Sequence, residues 1–284
     1  MIRGKIIRQF LTDGTPEGRW CSELSNWTGL AYKIPRTYVN HCEDRPDLHN
    51  TGVYFLFGQS EDGDLPQAYI GEAENLLERL KQHLAGKDFW TESVAFVSKD
   101  NNLNKAHVKY LEHRLYRLAQ QAGRCALTNG NVPAAPSISE MDREEMEEFL
   151  DNLRLVLGVL GHKVLEPPGG GILPGHLPVF SLTTREGVVA KGKPVSDGFV
   201  VFKGAQIAPR VSNALQQQTS IVNKRQLLIE KGMVDDNFRL AQDWTFSSPS
   251  LAACIVLGHN ANGRTVWKEA NGRSLKAMEE QGEM

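Results

Sequence analysis

The chain has no uninterrupted apolar run near the roughly 20 residues that a membrane-spanning helix needs. Its first residues, Met-Ile-Arg-Gly-Lys-Ile-Ile-Arg, hold no long apolar stretch of the kind that directs secretion. A cytoplasmic protein with no membrane partner is the expectation. Cysteine is scarce: Cys21, Cys42, Cys125 and Cys254 stand far apart with no CxxC pair. Neither a disulfide framework nor a zinc site is indicated, and buried thiols are expected. An excess of one charge is also missing, since 32 Lys and Arg against 34 Asp and Glu leave a net charge of −2. Any contact with nucleic acid must therefore come from a local patch. Internal repeats and long low-complexity tracts are absent. What remains is 284 residues with 40% hydrophobic and 23% charged side chains, a globular composition long enough for two domains.

The clearest break is residues 161–178, GHKVLEPPGGGILPGHLP, where proline and a glycine triplet exclude helix and paired strand and predict an interdomain linker. Before it, Met146, Phe149, Leu150, Leu153, Val156, Leu157 and Leu160 recur at helical spacing behind a serine cap. The acidic run from Glu140 to Glu148 reads as the solvated face of that helix. After the linker, residues 179–284 read as a smaller α+β accessory domain. It should hold a hairpin of Gly187 to Ala190 with Phe199 to Phe202, a helix over roughly Ser212 to Lys231, and an Asn-Gly turn leading to a strand that ends at Trp267. Residues 1–49 mix Trp20, Trp27, Tyr32 and Tyr38 with Arg19, Lys33 and Arg36. Such a mixture can stack on unpaired bases, but the favoured reading is a β-rich extension packed on the neighbouring domain.

Residues 51–86 carry the chemistry. Val53, Phe55 and Phe57 alternate with Tyr54 and Leu56, so a strand here sends Tyr54 to the face opposite the other three. Ala68, Tyr69 and Ile70 form a second strand, ended by Gly71, and the polar GQSEDGDLP connection predicts an antiparallel hairpin. Leu76, Leu77, Leu80 and Leu84 then mark a helix, and Asn75, Arg79 and His83, spaced by four, line one polar edge of it. Arginine offers a planar donor fork suited to a phosphoryl group, and histidine can move a proton near neutral pH. In a second helix, Val108, Leu111, Leu115, Leu118, Ala119 and Ala122 form the apolar face, and Glu112 falls beside that face rather than on the Lys105 and Lys109 edge. A carboxylate there needs a metal ion or a guanidinium, because burying it unpaired costs several kcal/mol.

Gly52-Val53-Tyr54, Tyr69-Ile70-Gly71, Asn75, Arg79, Glu112 and Asn129 together resemble the GIY-YIG nuclease domain in order and spacing, over residues 50–131. The resemblance implies an α/β (α+β) fold in which helices flank a small antiparallel-led sheet, spanning residues 50–160 with its trailing helix. It implies an endonuclease hydrolysing nucleic-acid phosphodiesters, DNA most of all, with Mg2+ or Mn2+, in defence, restriction or repair. Tyr54 would activate the attacking water, Tyr69 would position it, Arg79 would stabilise charge on the phosphoryl group and Glu112 would hold the metal. His83 resembles the proton-transfer histidine of restriction-type members, while Asn75, Asn129 and Gly71 would support the site or bind substrate. Two departures stand out. Val53 replaces the commoner isoleucine harmlessly, whereas Glu72 stands straight after Gly71 where many members carry a base, and Glu74 follows, which weakens unspecific attraction to a polyanion. The contrasting expectation is a catalytically silent module that binds nucleic acid or a protein. The C-terminal region, about Leu182 to Ala270, resembles a small uncharacterised domain appended to such nucleases, through which a homodimer or a protein partner would form.

Overall fold

The computed structural model describes residues 4–59, 66–167, 178–185 and 187–282. The chain divides into two compact units, residues 1–167 and 168–284. No helix among the described residues is long and apolar enough to cross a membrane.

The first unit runs β1 (Ile7–Leu11), β2 (Trp20–Leu24), β3 (Gly29–Pro35), two 3-10 turns (Arg36–Asp44 and Pro46–His49), β4 (Gly52–Gly58), β5 (Gln67–Ala73), α1 (Leu76–Gly86), β6 (Trp90–Ser98), α2 (Lys105–Ala122), β7 (Ala126–Leu127) and α3 (Glu140–Val159). Its strands form one mixed sheet of seven in the order β1-β2-β3-β6-β4-β5-β7. Every pairing is antiparallel except β5 with β7. Alternation in β4 feeds two cores. Val53 and Phe55 face the α2 and α3 side with Phe96, Val108, Leu111 and Leu153. Tyr54 and Leu56 face the α1 side with Leu76, Leu77, Leu80 and Trp90. Each buried side chain of this size contributes about 1.5–3 kcal/mol, so the sheet is held from both faces.

The first 49 residues are not an extension laid on this sheet; they supply three of its strands, with β3 hydrogen-bonded to the central β6. Several of their aromatic and basic side chains make contacts within the fold. Lys33 lies 4.6 Å over the Trp20 ring and Arg36 4.6 Å over Trp90. Trp27 packs on Phe149 at 4.9 Å, the Tyr32 hydroxyl donates to Asp47, and Arg19 pairs with Asp13 and Asp44.

The break after α3 starts later than residue 161. Val164 and Leu165 are buried in the core, and His162 stacks on Phe57 at 3.7 Å while bonding Glu92 at 2.7 Å. Most of the proline and glycine tract, residues 168–177, lies outside the described residues, as does the tip of the β4–β5 loop at 60–65.

The second unit contains β8 (Phe180–Thr184), β9 (Gly187–Val195), β10 (Gly198–Val201), α4 (Asn213–Gln216), α5 (Thr219–Glu230), β11 (Trp244–Phe246), α6 (Pro249–Leu257), α7 (Gly263–Val266) and α8 (Leu275–Glu280). Its sheet is antiparallel in the order β11-β10-β9-β8. The hairpin is tighter than expected, because the KGKPV segment is strand and only Ser196 and Asp197 turn. Pro194 is tolerated because β8 pairs with β9 only from Gly187 to Gly192, leaving the missing donor beyond that ladder. The expected helix over Ser212 to Lys231 breaks at Gln217 and Gln218. The Asn-Gly segment is a helix start rather than a turn: the Asn262 side chain accepts from the Arg264 N–H and begins α7.

Candidate active site

Gly71 does not end the second strand. It lies inside β5, directly opposite Tyr54 on β4. A Cβ at Gly71 would lie 2.4 Å from the Tyr54 hydroxyl oxygen, so only glycine lets the phenol ring lie across the neighbouring strand. Gly71→Ala should therefore lower unfolding stability by about 1–3 kcal/mol through overpacking, read as a fall in Tm; an unchanged melt would mean that Tyr54 has room to move.

That close approach sets an aromatic triangle. Ring centroids of Tyr54 and Tyr69 are 6.1 Å apart, Tyr54 and His83 5.5 Å, and Tyr69 and His83 5.3 Å. His83 does not share an open polar edge with Asn75 and Arg79. It is 7% exposed, turned inward from the last turn of α1, and its Nε2 lies 2.6 Å from the Tyr54 hydroxyl. Burial, then the charges of Arg79 and Lys87, depress the imidazole pKa to about 4. The Tyr54 phenol is shifted upward, mainly by burial and secondly by Tyr69, with Arg79 opposing. At neutral pH the phenol keeps its proton and the imidazole is uncharged, so Tyr54 donates and Nε2 accepts.

Tyr54 itself is fully buried, at 0% exposure. The expectation that its hydroxyl meets an attacking water directly is not met in this arrangement. Tyr69 is partly open, and the Lys87 ammonium lies 4.4 Å over its ring. Arg79 is exposed, and its Nη1 donates to Gln82 at 3.0 Å. The neighbouring Tyr54 hydroxyl most strongly raises the Arg79 pKa, and Tyr69 and Glu72 add to the shift.

Asn75 and Asn129 do structural work. Asn75 caps α1, its side chain accepting from the Glu78 N–H at 3.1 Å. Asn129, just past β7, accepts from the Ile70 N–H at 3.1 Å and donates to the Ile70 carbonyl at 2.7 Å. One side chain thus replaces a ladder partner at the edge of β5 and fixes the strand that carries Tyr69.

Glu112 is partly buried on α2, and no hydrogen bond or ion pair reaches it among the described residues. Arg114 is occupied by Glu147 at 2.9 Å and Arg117 by Gln120. Burial first and the Glu72 charge second push the Glu112 carboxyl up to about 7, against Lys105, Arg79 and Lys109. Glu72 joins this region because β5 continues past Gly71: period two places it on the Ile70 face, toward α2. Lys105, at the start of α2, bridges Glu72 at 3.1 Å and Glu74 at 3.3 Å. Glu72, Lys105 and Lys87 were absent from the expected site. Strand alternation carried through Gly71 would have found Glu72.

A family model described as a domain of unknown function (DUF4357) matches residues 180–279. The second unit therefore contains the small accessory domain expected there, and the match does not extend to residues 50–131. No curated protein and no solved structure matches the chain.

Proposed function

We propose that the first unit is a GIY-YIG-type endonuclease that hydrolyses nucleic-acid phosphodiesters, DNA above all, with Mg2+ or Mn2+ at Glu112. The observation that carries this reading is the packing of Tyr54, Tyr69 and His83 against one another, with the Tyr54 hydroxyl 2.6 Å from His83 Nε2 and the exposed Arg79 one turn back on the same helix. Glu72, on the same strand as Tyr69, is tied by Lys105 to α2, the helix that carries Glu112. A partly buried carboxylate without a cation fits a hard divalent ion, which takes oxygen donors and keeps several waters. No cluster of three or more His, Cys, Asp or Glu ligands exists among the described residues, so Glu112 would be the main protein ligand. When bound, the ion supplies Lewis-acid neutralisation of phosphoryl charge and a more acidic water.

The chain's own groups divide the remaining work. Arg79 is exposed and permanently charged, so it can turn to a non-bridging phosphate oxygen and hold the charge that builds there. Tyr69, partly open, orients the water. Tyr54 works behind it. Its hydroxyl, out of reach of solvent, donates to the uncharged His83 Nε2 and so holds that side of the site in place behind Tyr69 and Arg79.

One observation favours the silent-module reading: Lys105, paired to Glu72 and Glu74, already brings positive charge toward Glu112. Incubating the full chain with labelled single- and double-stranded DNA, in Mg2+ or Mn2+ and then in EDTA, separates the two. Metal-dependent cleavage by the wild type and its loss in Glu112→Ala support the enzyme. Absent cleavage, or equal cleavage by both proteins, supports the binding module.

A further inference from the structure

One face of the sheet of the second unit is apolar throughout, while the other combines buried Val195 and Val200 with a row of lysines. Phe180, Leu182, Ala190, Phe199, Val201 and Phe246 are buried on the first. On the other, the pairing of Lys268 with Ser181 and of Ser181 with Lys191 sets two lysines on either side of a serine in one cross-strand row. Lys193 follows Lys191 by two residues and so shares its face. The Phe202 N–H donates to the Lys191 carbonyl at 2.9 Å, which continues the row past the end of β10. Here a cleft of about 380 Å³ opens, lined by Lys191, Phe202, Lys203 and Gly204 with Val189 and Ala190.

The lysines of this cleft form no ion pair among the described residues. Ion pairs of the second unit among the described residues join Arg264 to Glu279, Arg273 to Glu269 and Lys276 to Glu280; Lys191, Lys193, Lys203 and Lys268 take part in none. Acids nearby in the chain accept from backbone N–H groups rather than from these ammonium groups. Asp243 accepts from the Lys203 N–H at 2.8 Å, and Asp235 accepts from the N–H groups of Asn237 and Arg239. Lys191, Lys203 and Lys268 are exposed, and Phe202 is half-buried.

We propose that this cleft binds single-stranded nucleic acid, with phosphates against Lys191 and Lys203 and a base on the Phe202 ring. Two ammonium groups outside any ion pair, lining one small cleft, suit the phosphates of a flexible strand, and a half-open aromatic ring takes an unpaired base but has little to offer a closed duplex. The site belongs to the second unit and stands whether or not the first unit cuts.

The test is fluorescence anisotropy of a labelled oligothymidylate with the full chain in EDTA, across a salt series, so that binding is read without cleavage. Lys191→Gln/Lys203→Gln should weaken binding at least tenfold and lower the slope of log affinity against log salt by about 1.4, for two lost phosphate contacts. Phe202→Leu keeps apolar bulk but removes the ring face, and should weaken binding about fivefold or more. Lys224→Gln/Lys231→Gln, altering lysines of the same unit away from the cleft, should change affinity less than twofold. The proposal fails if the cleft double variant binds as the wild type does, if the control pair loses as much, or if phosphatidylserine vesicles are bound through the cleft lysines while the oligonucleotide is not. A wild-type chain that cleaves but has cleft variants of normal affinity sinks this site alone.

Discussion

Arg79→Ala should slow metal-dependent cleavage by about 100-fold or more and leave thermal unfolding nearly unchanged. A charge that acts mainly on the developing phosphoryl charge is worth roughly 3 kcal/mol or more in the transition state. The folded chain asks little of the same side chain. Arg79 is exposed and donates to Gln82, and the Tyr54 hydroxyl beside it keeps His83 as a partner when the guanidinium is removed, so the loss should change stability by about 0.5 kcal/mol or less. The split between rate and stability is what distinguishes a working arginine from a structural one. A variant that melts well below the wild type, or one that cuts at the wild-type rate, would contradict the role.

Glu112→Gln should do two opposite things: abolish metal-dependent cleavage and stabilise the metal-free protein above neutral pH. Burial and Glu72 raise the carboxyl pKa from 4.5 to about 7 in the fold, so the native state resists its ionisation. Below about pH 4.5 the carboxyl is protonated in both folded and unfolded chains, and nothing is lost. Between there and pH 7 the unfolded chain ionises first and stability falls; above pH 7 the whole penalty is present. At 1.36 kcal/mol per pKa unit the penalty is at most about 3.4 kcal/mol, less whatever solvent screening and relaxation remove. Urea unfolding in EDTA should therefore show the glutamine variant more stable at pH 8 and the two proteins converging near pH 4. Added Mg2+ should narrow the gap by stabilising only the wild type. A variant less stable than the wild type at pH 8 would mean that Glu112 already has a good partner, and the case for a cation there would collapse. A group that costs stability while serving chemistry is a common trade in active sites.

Helices were the most legible part of the sequence, for a local reason. The apolar spacing from Met146 to Leu160 and the Ser139 cap specify α3 without reference to the rest of the chain, and the leucine pattern does the same for α1. Alternation in β4 was equally readable, down to which face Tyr54 takes. What sequence could not give was partnership across distance. Residues 1–49 look like an appendage until β3 is seen paired to β6, a contact 60 or so residues away in the chain. Gly71 reads as a breaker, yet its missing side chain makes room for Tyr54 and keeps β5 running to Glu72. His83 falls on a nominally polar edge, but one hydrogen bond to a buried phenol outweighs that position and turns the ring inward. At the other end of the chain, Asn262-Gly263 carries the residue pair of a tight hairpin and instead caps a helix, because the asparagine oxygen has an N–H to accept from two residues on.

Manganese soaked into crystals of the full chain, located by its anomalous scattering, tests the centre of the account most directly. A single strong peak about 2.0–2.2 Å from a Glu112 carboxylate oxygen, with its remaining positions open toward Tyr69 and Arg79 and lost in Glu112→Gln, is the predicted result. A peak held elsewhere, or Lys105 turned onto Glu112 with no manganese bound, would contradict it.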